Sequence, residues 1–166
     1  MRSGQIQQVF IYMIASLIIV LILYFGYTAV RGFTKRQAEL AYVSFRTELD
    51  GKIGAIAPDF GSVRLESFDL PPGIEVVCFV DPDKLGASLS LPSELAKSDA
   101  LKKEFGVLRE SVKGSAQLNV WPLPGGEPWW NAKIEVEPGL ICFEQARGVV
   151  SIRLEGLGDR AKIGRP

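Results

Sequence analysis

The sequence predicts an α+β protein in which a long N-terminal helix lies against an antiparallel β-sheet head. Three observations predict it. An uncharged apolar segment runs from Val9 to Val30, and an amphipathic segment with helical period follows it without a turn signal. Beyond Gly61 the apolar period then changes from 3.6 to 2.

The apolar segment comes first because its length decides its class. Val9–Val30 holds 22 residues, and its only polar or helix-weakening members are Ser16, Gly26 and Thr28. At about 1.5 Å per residue it reaches roughly 33 Å, which matches a hydrocarbon core of about 30 Å. Tyr24, Phe25 and Tyr27 crowd its C-terminal end, where aromatic rings suit a membrane–water interface. A removable secretory signal has an apolar region of about 7–15 residues and a small-x-small cleavage site. This segment is longer and runs straight into the charged stretch RGFTKRQAEL, so the expectation is a single-pass span in contact with membrane lipid.

Residues 31–57 extend the same helix. Ala38, Ala41, Phe45, Leu49, Ile53 and Ile56 recur every three or four positions and make one apolar face. Lys35–Glu39, Arg46–Asp50 and Glu48–Lys52 stand at i,i+4 on the other faces. Pro58 stops the run, because proline cannot continue the hydrogen-bond ladder. The chain therefore divides into an N-terminal flank (1–8), the span (9–30), its amphipathic extension (31–57) and a head (58–166), with one helix of about 45–50 residues in all.

Within the head, Val63 and Leu65 alternate with Arg64 and Glu66, and a slip of phase at Ser67 suggests a bulge or a strand end. PPG at 71–73 is a turn, and IEVVCFV at 74–80 reads as a buried strand. A second helix is marked by Ser98 as N-cap, an apolar face of Leu101, Phe105, Leu108 and Val112, and Gly114 as its stop. The remainder is strand and turn: AQLNVW, WNAKIEVE, LICFE, VVSIRLE and RAKI, joined by short turns that favour an antiparallel meander.

Composition excludes several functions. Lys plus Arg and Asp plus Glu both total 19, so no excess of basic charge points to nucleic acid. Histidine is absent, which removes His-based acid–base pairs, Ser-His-Asp triads and most zinc sites. The DPD stretch at 81–83 and the glycines of GLGDRAKIG read as turns rather than cation or phosphate loops. No catalytic constellation and no cofactor site is legible, so an enzyme is not expected.

Two groups of residues invite a sharper reading. Cys78 and Cys142 stand 64 residues apart in strands with similar flanks. They read either as two small buried hydrophobes or as a disulfide between neighbouring strands, which requires a compartment outside the reducing cytoplasm. Trp121, Trp129 and Trp130 flank PLPGGEP, and a hairpin there would gather them at one end of the sheet. They form either a partner-contact surface or part of the core.

The opening MRSGQIQQVF places a basic residue and Gly4-Gln5 directly before the long apolar helix. Through Arg2, Gly4 and Gln5, and through the order of helix and head, the chain resembles archaeal type IV pilins and related prepilin-type membrane proteins. The resemblance implies cleavage between Gly4 and Gln5, an outward-facing head, and packing against like or related subunits through Val9 to Val30. Family members usually carry Ser or Thr at the third mature position and Glu at the fifth, where this chain has Gln7 and Val9. That Glu is thought to neutralise a neighbour's new amino terminus, so the resemblance implies a minor or non-bulk subunit rather than a major one. Arg31, Lys35 and Arg36 after the span lean the other way, toward a cytoplasmic head and a role as a subunit of a membrane complex. The cysteine pair and the resemblance favour a head outside the cytoplasm.

Overall fold

In the computed structural model of the chain, the apolar and amphipathic segments form one helix, α1 (Ser3–Ile56). The structure describes residues 3–81, 84, 90–114 and 117–166, without the side chains of residues 3–8 and 31–36. Arg2 and Asp83 lie outside the described residues, as does the side chain of Gln5. Two compact units divide the chain, Met1–Leu40 and Ala41–Pro166, and α1 belongs to both.

In the second unit, Phe45, Leu49, Ile53 and Ile56 of α1 are buried in the main core, as their spacing predicts. Burying each such side chain contributes about 1.5–3 kcal/mol. The predicted Arg46–Asp50 pair forms at 4.0 Å, whereas Lys52 turns from Glu48 to Glu66 on the first strand, 3.0 Å away. The helix ends against the backbone of Gly156. A Cβ there would lie 2.3 Å from the carbonyl oxygens of both Ile56 and Asp59, so only glycine admits this approach.

The strands are β1 (Val63–Asp69), β2 (Val76–Val80), β3 (Val120–Leu123), β4 (Ile134–Val136), β5 (Leu140–Glu144), β6 (Val149–Gly156) and β7 (Ala161–Gly164). They form two sheets rather than one, ordered β1-β6-β7-β4 and β3-β2-β5. A two-residue turn, with Arg147 and Gly148 both at positive φ (57° and 84°), hands the chain from the second sheet to the first. Of the expected meander only β6 and β7 pair as consecutive antiparallel strands, since β3 and β5 both pair with β2 and β4 pairs parallel with β7. The strand after β4 joins the other sheet, so the open edge of β4 is taken by the last strand, which runs in the same direction.

Other strand expectations are adjusted for local reasons. β1 keeps one unbroken register with β6 from Val63↔Glu155 to Asp69↔Val149, so Ser67 marks no bulge. Phe68 faces the core in phase with Arg64 and Glu66, while Val63 and Leu65 face outward, 49% and 63% exposed. The strand predicted at 116–121 begins at Val120 and runs through Pro122, which an edge strand tolerates. The strand predicted at 130–137 is only Ile134–Val136, because Asn131 Oδ1 accepts the Lys133 N–H and turns the chain before it.

β2 lies in the middle of its sheet, and all five of its residues are buried. Val77 and Phe79 enter the main core with α1 and the first sheet. Val76, Cys78 and Val80 enter a second core beneath helix α2 (Asp99–Lys113), against Leu101, Phe105 and Leu108. Ser98 stands at the N-cap position but its side chain makes no capping bond, and Gly114 closes the helix by donating to the Glu110 and Val112 carbonyls.

Candidate functional site

The first unit presents a helix long and apolar enough to cross a membrane. Val9–Val30 has a mean hydropathy of 2.7, and none of its most apolar stretch is buried against protein. Its Ser and Thr hydroxyls are satisfied locally: Ser16 Oγ donates to the Met13 carbonyl at 2.9 Å, and Thr28 Oγ1 to the Tyr24 and Phe25 carbonyls at 3.0 Å. A hydroxyl bonded to its own helix leaves no polar group stranded in hydrocarbon. The Gly4–Gln5 bond lies in the first turns of α1.

The head is covalently tied. Cys78 and Cys142 are direct cross-strand partners in β2 and β5 and form a disulfide, with Cα atoms 4.0 Å apart. Both are buried in the second core, so the reading as separate thiols is set aside.

The three tryptophans do not share a surface. Trp129 is 3% exposed in the main core, Trp121 is 5% exposed in the second core, and Trp130 is 47% exposed. A bridge between Val120 and Trp129 closes the hairpin as expected, but neighbouring strand residues point to opposite faces. Trp129 packs edge-on against Tyr42 and Phe45, both at 6.1 Å, with the Arg46 guanidinium 5.4 Å from its ring centre.

A polar network holds Trp129 in place, and the sequence reading missed it. Trp129 Nε1 donates to Asp50 Oδ1 at 3.1 Å, and Asn131 Nδ2 donates to the same oxygen at 2.6 Å. Asn119 donates from Nδ2 to the Asn131 carbonyl and accepts the Asn131 N–H, at 2.7 and 2.8 Å. Tyr42 donates its hydroxyl to the Glu127 carbonyl. Burial and the nearby Glu127 carboxylate raise the Tyr42 pKa, which keeps that donor protonated. Asn119, the one buried polar residue among those described, was the available signal in the NVW stretch.

The remaining features are a groove and a row of surface ion pairs. The groove, about 650 Å³, runs between α2 and β3 over Val107, Leu118, Trp121, Leu123 and Pro128. Lys84 pairs with Glu135 at 2.6 Å and Lys162 with Glu137, and these hydrogen bonds raise both lysine pKa values. The same bond from Lys162 lowers that of Glu137. Among the described residues no group of three acidic, Cys or His side chains is placed to hold a metal. No protein-family model matches the chain, and neither a curated protein nor a solved structure matches it.

Proposed function

We propose that this chain is a single-pass, pilin-like surface protein with its head outside the cytoplasm and a structural or assembly role. The observation that carries the reading is a buried disulfide in the head of a chain that begins with an apolar helix of spanning length. Disulfides form and persist in oxidising compartments, which favours the outward orientation over the cytoplasm-facing one. The Gly4-Gln5 pair, placed just before the apolar segment Val9–Val30, supports prepilin-type processing. The 22-residue Val9–Val30 segment offers exposed apolar side chains on all sides, to lipid or to a like helix. Gln7 and Val9, at the third and fifth mature positions, favour a minor or non-bulk subunit.

Single cysteines placed in turn along Val9–Val30, in membranes of the source cells, test the assembly role. Packing against like or related subunits predicts oxidative cross-links at positions recurring about every 3.6 residues. Absence of cross-links at every position would leave an anchored monomer. The alternative of a binding module built on the three tryptophans is not favoured, because two of them are buried on opposite sides of one sheet.

A further inference from the structure

The first sheet ends in an open edge at β1, whose neighbour on the other side is β6. Gly156 donates its N–H to the Ser62 carbonyl, and Leu70 donates to the Gly148 carbonyl, so the even-numbered residues of this stretch turn their backbone groups toward β6. Antiparallel strands alternate, and the N–H and C=O groups of Val63, Leu65, Ser67 and Asp69 therefore point to the open edge. Two of those residues, Val63 and Leu65, also expose large apolar side chains on the outer face, and Phe60, 82% exposed, precedes them. A strand with unpaired backbone groups and exposed apolar side chains is a template for another strand.

We propose that this edge is a self-pairing interface, in which two copies of the chain join their first sheets by antiparallel β1–β1 pairing centred on Leu65. Charge and apolarity together select that register. Centred on Leu65, Arg64 of each copy faces Glu66 of the other, Leu65 faces Leu65, and Val63 faces Ser67. Moving the centre to Glu66 sets carboxylate against carboxylate, moving it to Arg64 sets guanidinium against guanidinium, and moving it to Ser67 sets Leu65 against Asp69. Like charges directly opposite destabilise a pair, whereas opposite charges and apolar pairs support it. Within each chain Arg64 already holds Asp59 at 3.4 Å and Glu66 holds Lys52 at 3.0 Å, so the cross-pairs continue a row of alternating charge. The proposal stands apart from the span-mediated assembly above, since it uses only the head.

Single cysteines in the full-length protein, oxidised in its membranes, test the register. Leu65 sits at a hydrogen-bonded position, where facing Cα atoms lie about 5.5 Å apart, within the span a disulfide bridges. Leu65→Cys is expected to give a covalent dimer with itself. Ser67→Cys alone is expected to give none, because its copies are offset by four residues, about 14 Å along the strand. Val63→Cys coexpressed with Ser67→Cys is expected to give the mixed dimer. No dimer from Leu65→Cys, or an equal yield from Ser67→Cys alone, would overturn the pairing and leave Arg64, Glu66 and Asp69 as charges that protect a solitary edge.

Discussion

Trp129 and Trp130 are neighbours in sequence with opposite physical roles. Trp129 fills the core beside Phe45 and donates to Asp50, while Trp130 lies half in solvent. Truncating a buried aromatic removes its transfer energy and leaves a cavity, a cost of about 3–5 kcal/mol. Trp129→Ala should therefore lower head stability by about that amount, read from the denaturant midpoint. Trp130→Ala should stay within about 0.5 kcal/mol of the parent, as surface changes do. Equal losses would mean that the Asp50–Asn131–Asn119 network does not single out Trp129. The sequence left the tryptophans open between core and surface, because spacing alone cannot tell which of two adjacent bulky residues turns inward. Asn119 and Asn131 decide it: the Asn119 side chain closes the loop on the Asn131 N–H and carbonyl, and the Asn131 side chain donates to Asp50.

At the scale of elements, the disulfide joins the middle and edge strands of the second sheet across a separation of 64 residues. Closing a loop of that length restricts the unfolded chain by an amount on the order of 4 kcal/mol in the loop-entropy account. The double variant Cys78→Ala/Cys142→Ala should lose stability on that order, seen as a lowered midpoint in chemical denaturation. A loss under about 1 kcal/mol would show that strain or residual structure offsets the constraint. Strands and helices themselves were largely legible, since α1, α2, β2, β5 and β6 each follow an apolar period or run. What the pattern hid was partnership. Alternation at Val63 and Leu65 identifies a strand but not the face that meets the core, and here Phe68 decides against them. Nor does any local signal show that the short turn at Arg147–Gly148 changes sheets, or that β4 meets β7 in parallel.

The whole molecule combines a spanning-length apolar helix with a head that folds around the end of that same helix. α1 supplies Phe45, Leu49, Ile53 and Ile56 to the main core, so the C-terminal part of that helix is part of the head's fold. This division was readable from the sequence because a continuous apolar run and an amphipathic run differ in period. Location and processing depend on events outside the fold, and one measurement reaches both. The intact mass and N-terminal residue would be determined for the full-length protein purified without reductant from the membranes of its source cells. The account predicts a chain beginning at Gln5, lighter by two hydrogens than its reduced form. A chain still beginning at Met1, with free thiols at Cys78 and Cys142, would contradict it.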